Sequence, residues 1–454
     1  MVNSETTAGP GIDRMAGIDR SDTGPVPWRR LVKHAVHALL PSAVRMIGAG
    51  FQFLSTVIVA RALGDGPSAP FFFWSSILIT SGPIATYGLE QIALRTVPRL
   101  ESGGRGDIAA FVARLRGLSV AVSLILGSGW MIYAIATEPA PGGFRPWHVL
   151  PLIAQAGIAL TLINGEALKG LSRPVLGSIF GHVLPVGIFF ILVALFAHRS
   201  DATAILTFYT GSFLAGAALA RFAPGGKADG SFVLFPDRRR LVALLREGFP
   251  ICCVSLFGAL GFIVPLAVCE LLLTGSEISH LTAAFRISIL FIVLSGAIHG
   301  VFAPALSRSA AAPAPLLPVL RVYGKSIGIA LLVLGPPLAI GILFPGAVMT
   351  VFGEEFRDGS GALRWLLVIQ FLSLLMGPVP HLLLMTGHTV FLARIGIAKF
   401  ALVTLLSLVL IPRCGGLGMV VAMGIAFLGE ELAGVAYTLL KMRRTSASTE
   451  AGIP

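Results

Sequence analysis

Three basic residues, Arg45, Arg286 and Lys399, fall inside long apolar runs of this sequence. A charge held in hydrocarbon costs roughly 2.5–3.5 kcal/mol on insertion scales, so each needs a partner, water or a task. Arg45, Gly48, Gln52 and Ser55 follow one another at spacings of 3, 4 and 3, which sets them on one face of a helix. Such a stripe suits a hydrated passage. Arg45, near the start of its run, can equally snorkel to the headgroups while the rest packs helices. Gln52 sits near mid-depth and has no such escape. Arg286, with Thr282 one turn before it, lies too deep to reach water unless it faces a cavity. His299, Ser295 and Ser288 occupy another face of that run. His299 reads either as a hydrogen-bonded interior histidine or as a proton carrier.

The sharpest constellation joins Lys399 to Glu430 and Glu431. The chain turns at PRCGG around Cys414, with Lys399 fifteen residues before that centre and Glu430 sixteen after it. In an antiparallel helix hairpin these positions share one depth, so ammonium and carboxylate should pair. Two carboxylates against one lysine leave a surplus acid. The group is either a neutralised pair that holds the hairpin together or a coupling site for H⁺ or Na⁺. Glu270, nearer the end of its run, is a further coupling candidate. Glu90 and Glu166 also close apolar runs, Glu166 beside Lys169, as ordinary surface charges do. The set suits binding an anion and moving a cation rather than covalent catalysis.

The elements that must position these residues are membrane helices. With 454 residues, 55% hydrophobic and 12% charged, the chain lies far outside the soluble globular range. Each crossing takes about 20 apolar residues, and the apolar runs predict spans near 43–62, 70–90, 110–136, 148–168, 174–197 and 203–222, then 246–268, 278–303, 320–343, 361–385, 390–411 and 416–440. The expected fold is an all-α polytopic membrane protein of twelve transmembrane helices in two six-helix lobes, residues 41–222 and 246–441. A basic linker, 223–245, joins the lobes, and residues 1–40 and 442–454 form the tails. The stretch Arg221–Glu247 carries six of the 34 cations. With this numbering, 23 cations fall on the side of both termini and six on the other, which places the termini and the linker in the cytoplasm.

The formal net charge of +12 then reflects topology and attraction to anionic membrane lipid, not nucleic acid. The words GIDR at Gly11–Arg14 and Gly17–Arg20 sit in a polar N-terminal tail without the apolar core of a signal peptide. Cys252, Cys253, Cys269 and Cys414 show no metal-ligand spacing. No DxD, HExxH, phosphate-cradling Gly loop or Ser/His/Asp arrangement with its context is present, so neither an enzyme nor a cofactor or metal site is expected. No external or internal loop is long enough for a catalytic or nucleotide-binding domain. A transporter driven by an ion or substrate gradient remains. Prolines inside the spans, among them Pro83, Pro185, Pro265 and Pro378, are breaks at which helices can bend.

Several words occur in a familiar order: FQFLSTVIVARALG, GLEQIALRTVPRL, LKGLSRP, REGFP, AAFRIS, APALSRSA, FGEEF, LLLMTGH and IPRCGGLGMVVA. Across residues 40–440 this order resembles the polysaccharide-repeat-unit flippases (the Wzx type), of the MOP superfamily that includes the multidrug and toxin (MATE) extruders and the lipid II flippases. The resemblance implies a V-shaped bundle in which spans 1, 2, 7 and 8 line a central cationic cavity, with Arg45, Gln52 and Arg286 on the substrate. The implied cargo is an undecaprenyl-diphosphate-linked oligosaccharide, turned between leaflets of a bacterial inner membrane alongside other polysaccharide assembly proteins. Where members often carry an acid partway through span 7, this chain has Pro265, with Glu270 nearer the end. The alternatives are a multidrug extruder of the same fold, disfavoured by the cavity arginines, and a membrane-bound polymerase or ligase, disfavoured by the short loops.

Overall fold

In a hydrocarbon layer every backbone N–H and C=O must find its partner within its own segment, and the apolar runs accordingly form helices. The computed structural model describes residues 28–100, 105–137, 144–220, 238–310, 316–379, 382–383 and 389–450. The GIDR words and most of the central linker lie outside them. The chain divides into a short unit, residues 1–40, and a large one, residues 41–454, which holds everything discussed below. In order, the elements are α1 (Trp28–Leu63), α2 (Asp65–Ala85), α3 (Leu89–Leu100), α4 (Arg105–Thr137), α5 (Leu150–Gly170), α6 (Pro174–Ser178), a π-helical turn (Ile179–Val183), α7 (Leu184–Phe196) and α8 (Ala202–Leu219). The second half holds α9 (Arg238–Leu272), α10 (Gly275–Ala310), α11 (Leu316–Leu343), α12 (Pro345–Met349), α13 (Ser360–Met376) and α14 (Thr389–Glu450). No strand occurs among the described residues.

Ten helices among the described residues are long and apolar enough to cross a membrane. The count departs from twelve at two places. The last stretch, Val390–Lys441, is 52 residues long and is one of the ten. It folds back on itself at Gly415, whose φ of 58° and ψ of −141° are non-helical and disfavoured for a residue with a Cβ. The other is α2, whose serines and glycines lower its hydropathy but which is 21 residues long and mostly buried. It also ends earlier than the apolar run predicts: the chain turns at Thr86–Gly88, with Tyr87 and Gly88 at positive φ, and α3 begins as a separate amphipathic helix. The last helix runs on to Glu450, beyond the expected end near residue 441.

The first half packs around an aromatic core in which Phe71 stacks on Phe189 and meets Tyr209 edge-on. Helix α5 approaches the π turn closely enough that a Cβ on Gly165 would lie 2.8 Å from the Gly181 Cα, the small-residue contact that lets membrane helices touch. The second half gathers α10, α11, α13 and α14, with α9 against α14. The two halves meet where α2 packs on α9 and α10 and where α3 meets α9, with the Arg95–Glu247 ion pair between them.

At the end of the bundle that holds the α1–α2 turn, polar contacts join the halves. Arg61 Nε donates to Val351 O at 2.7 Å, His280 Nε2 lies 3.4 Å from Asp65 Oδ2, and Ser68 Oγ donates to Ser279 Oγ at 3.3 Å. Phe53 packs edge-on against Phe352, and Phe72 against Phe356. These contacts seal the halves at one end.

The register of the α14 hairpin brings Lys399 Nζ to 2.7 Å from Glu430 Oε2 and 4.5 Å from the centre of the Phe427 ring. Removing one member of a buried pair leaves the other uncompensated, which costs about 3–5 kcal/mol. Lys399→Met should therefore lower the detergent melting temperature markedly, and the double change with Glu430→Gln should recover most of the loss. Equal destabilisation by single and double variants would mean that the pair does not hold the hairpin.

Candidate functional site

Two cavities flank α10 and share its residues Ile292 and Gly296 as lining. The first, about 510 Å³, lies between the halves; Arg45 and Gln52 of α1 and His182 of the π turn supply its polar wall, and Ile79 of α2 and Val293 of α10 face them. The second, about 350 Å³, lies mainly in the second half, with Ser288, Ser295 and His299 of α10, Gln370 and Ser373 of α13 and Glu431 of α14 on its wall and Thr80 of α2 at its border. Donors line one side of α10 and a carboxylate lines the other.

Local sequence explains the first wall. Pro185 has no N–H to give the carbonyl four residues back, and its ring crowds that position, so the helix widens into the π turn Ile179–Val183. Gly48 lets α1 lie against that turn: a Cβ there would fall 2.8 Å from His182 O. Arg45 and Gln52, about one turn to either side of Gly48, are thereby held at the cavity.

Arg45 is half exposed, and its Nη2 lies 3.8 Å from Glu166 Oε1. The same carboxylate oxygen accepts a hydrogen bond from Lys169 Nζ. Two cations thus share one acid, and the group keeps a net positive charge at the cavity. The Gln52 Nε2 is buried with no hydrogen-bond partner. Its backbone carbonyl is taken by Thr56, and that of Phe51 by Ser55, so the Ser55 hydroxyl turns back on its own helix rather than serving the stripe.

Arg286 is not brought to the same wall. It is buried at the α2–α10 seam, where Nη2 donates to Ser75 Oγ at 2.6 Å and Ser76 Oγ at 3.1 Å. Its Nε has no partner, and no carboxylate among the described residues lies within ion-pair distance. Residue 292, where the two cavities meet, is six residues further along α10, about 9 Å at the helical rise.

The acidic pair divides its work. Glu430 takes Lys399, whereas Glu431 turns to the second cavity, where Oε1 accepts from Ser373 Oγ at 2.5 Å and Oε2 is buried without a partner. His299 Nδ1 lies 2.7 Å from Ser326 Oγ. Glu270 is remote from both groups and borders a third cavity with Trp74 and Trp147.

Several residues at the site escape a reading of sequence alone. Glu166 looks like a span-end charge, yet it joins Arg45 to Lys169. Arg116, which counts with the cytoplasmic cations, is buried eleven residues into α4 and donates from Nε to Asn164 Oδ1 at 2.7 Å; Asn164 Nδ2 in turn reaches Ala217 O. Its position inside an expected span was the available signal. His182 carries none, since the π turn that presents it depends on packing. Among the described residues no three His, Cys, Asp or Glu side chains gather as metal ligands would.

No protein-family model matches the chain. In sequence it is similar to a probable low-salt glycan biosynthesis flippase of Haloferax volcanii, 24% identical over 388 residues that cover 84% of this chain and 78% of the relative. In structure it is similar to a multidrug-resistance MATE transporter of the MOP superfamily in its inward-facing conformation, with a TM-score of 0.67 at 16% identity, covering 92% of this chain and all of the other. The outward-facing conformation of such a transporter gives a TM-score of 0.59 at 18% identity, covering 90% and 96%. A MOP-superfamily transporter of Pyrococcus furiosus, described by the reversed polarity of its binding pocket, gives 0.58 at 17% identity, covering 92% and 97%. These are transport proteins rather than catalysts, in keeping with the non-enzymatic reading of the sequence. The chain is a multi-pass membrane protein with the fold of the MOP-superfamily transporters.

Proposed function

We propose that the chain is a flippase for a lipid-linked glycan, moving an undecaprenyl-diphosphate-linked oligosaccharide from the cytoplasmic to the periplasmic leaflet of a bacterial inner membrane. The observation that carries the reading is the cavity of about 510 Å³ between the halves, with Arg45, Gln52 and His182 as its polar lining and no carboxylate among the described residues that line it. A diphosphate cannot enter hydrocarbon without strong compensation. A guanidinium in a confined cavity offers charge-assisted hydrogen bonds in its place. Glu166, already held by Lys169, gives up Arg45 readily, and the orphaned Gln52 amide supplies a second donor. The glycan flippase similarity supports the same cargo class.

In this reading the sealed end, with Arg61, Asp65 and Ser68 against the second half, is periplasmic, and the cavity waits on the cytoplasmic side. The higher likeness to an inward-facing transporter agrees with that state. Arg286, locked on Ser75 and Ser76, ties the two lobes at mid-depth and becomes available to the cargo when the seam parts. The surface polysaccharide served, whether O-antigen, capsule or exopolysaccharide, follows from the cargo.

Leaflet exchange of a fluorescent diphosphate-linked oligosaccharide lipid in proteoliposomes tests the proposal. Arg45→Ala should slow exchange about tenfold or more, the 1.5–3 kcal/mol of a charged hydrogen bond, with the protein still folded. Unchanged exchange would remove Arg45 from the cargo site; efflux of organic cations without exchange would instead favour a drug extruder. A disulfide between Ser68→Cys and Ser279→Cys should stop exchange and its reduction restore it, and exchange at full speed in the locked protein would rule out opening at that end.

A coupling cation is favoured by one further observation: the buried, unpartnered Oε2 of Glu431 on the cavity that adjoins the cargo wall. Its neighbours are Ser373 on α13, Glu430 with Lys399 on α14 and His299 on α10. Glu431→Gln should make exchange indifferent to an imposed H⁺ or Na⁺ gradient, and a gradient response equal to that of the unaltered protein would dismiss Glu431 as the coupling group.

A further inference from the structure

The cavity of about 300 Å³ that Glu270 borders is lined by Phe73 and Trp74 of α2, Trp147 of the turn before α5, Thr137 and Thr203. It lies at the end of the bundle where α4 stops and α8 starts. Helix α2 is shared with the Arg45 cavity, but Ile79 there and Pro70 here are nine residues apart, half a turn out of phase, so the two cavities lie on opposite faces of α2. Glu270 comes from α9 and brings a carboxylate from the other half onto an otherwise first-half pocket.

The polar atoms around this pocket are unmet in both senses. Glu270 Oε2 is a buried acceptor with no donor. Tyr133 Oη and Trp130 Nε1, in the ring cluster of Phe73 and Trp74 rather than on the lining itself, are buried donors with no acceptor. Tyr133 stacks on Phe73 at 6.0 Å between ring centres, meets Trp74 edge-on at 6.2 Å, and meets Trp130 edge-on at 6.5 Å. Orphaned buried polar groups cost about 1–3 kcal/mol each unless something supplies the partner. Interfacial aromatics that merely anchor a helix keep their polar tips in the headgroups, whereas Phe73 and Trp74 are buried and border an open volume.

Resting on the flippase reading, we infer that this pocket is a saccharide subsite that takes one pyranose unit of the glycan. A pyranose has an apolar C–H face for the indole of Trp147 or Trp74 and a rim of hydroxyls, each of which donates and accepts. One hydroxyl donates to Glu270 Oε2, and others accept from donors of the aromatic cluster. An organic ammonium would satisfy the carboxylate but leave the donors unmet, and a phosphate would meet a like charge. A cavity of this size is at the lower end of small-molecule sites and suits one sugar ring. In the proposed orientation the pocket is on the periplasmic side, where the glycan arrives, and Glu270 ties sugar occupancy to the contact between the halves.

The test uses purified full-length protein in nanodiscs, with methyl glucoside, methyl galactoside and methyl N-acetylglucosaminide as probes read by saturation-transfer NMR and tryptophan quenching. At least one glycoside should bind saturably in the millimolar range. Trp147→Ala and Glu270→Ala should each weaken it about tenfold, Trp147→Phe should keep most of it, and all three should retain the melting temperature. Arg45→Ala should slow leaflet exchange about tenfold or more yet bind the glycoside as before, which separates failure of the cargo site from failure of this one. Absence of saturable binding, equal binding by both alanine variants, or a response to tetramethylammonium that the glycosides do not displace would overturn the assignment. Saccharide binding without leaflet exchange in the unaltered protein would leave the subsite standing and remove the flippase reading.

Discussion

A charge in hydrocarbon has to be paired, wetted or used, and the arrangement of this bundle follows from how each buried charge meets that demand. Lys399 is neutralised by Glu430 within one hairpin. Arg116 donates to the Asn164 amide oxygen, and the Asn164 amide nitrogen in turn donates to Ala217 O, a relay that fastens α4 to α5 and α5 to α8. Arg45 is treated differently: its acid, Glu166, is shared with Lys169, so one positive charge is left over beside a cavity. Arg286 meets only the hydroxyls of Ser75 and Ser76 through Nη2, and its buried Nε is left without a partner. Lys399 and Arg116 thus hold single halves together, whereas Arg45 and Arg286 lie where the halves meet, and the exposed Arg95–Glu247 pair ties α3 to α9.

That division gives the seam its mechanical character. Apolar helix contacts in a membrane gain little over contacts with lipid, so small residues and polar contacts decide which surfaces stay together. Within the first half, the approach of Gly165 to Gly181 and the rings around Phe71 make a tight unit. Between halves, the contacts of Arg61, Asp65 and Ser68 are single hydrogen bonds or a histidine–carboxylate approach, which can exchange for water at modest cost. A bundle built in this way can part along the seam without unfolding either side, as alternating access requires.

Much of the fold was legible in the sequence because membrane burial writes itself as runs of apolar residues, and the depth of Lys399 and Glu430 followed from counting to the turn. The turn at Tyr87–Gly88 was hidden because the apolar pattern runs straight through it into Leu89 and Ile92. Partners across the seam were out of reach: Ser75 and Ser76 stand 211 and 210 residues from Arg286, and only packing joins them. Which acid of the Glu430–Glu431 pair would face Lys399 depends on helix rotation, which adjacent positions cannot reveal. The Trp74–Trp147–Glu270 pocket was equally invisible, since indoles in an apolar run read as core or as interfacial anchors.

The central claim is that surplus positive charge beside the α1–α10 cavity receives a lipid-borne diphosphate. An electron-microscopy structure of the protein in nanodiscs with a diphosphate-linked glycan lipid tests it most directly. The account predicts phosphate density about 2.7–2.9 Å from the Arg45 guanidinium, with Arg45 withdrawn from Glu166 and the Gln52 amide turned toward the headgroup. A headgroup seated on the lipid-facing surface, with Arg45 still against Glu166 and only water in the cavity, would contradict it.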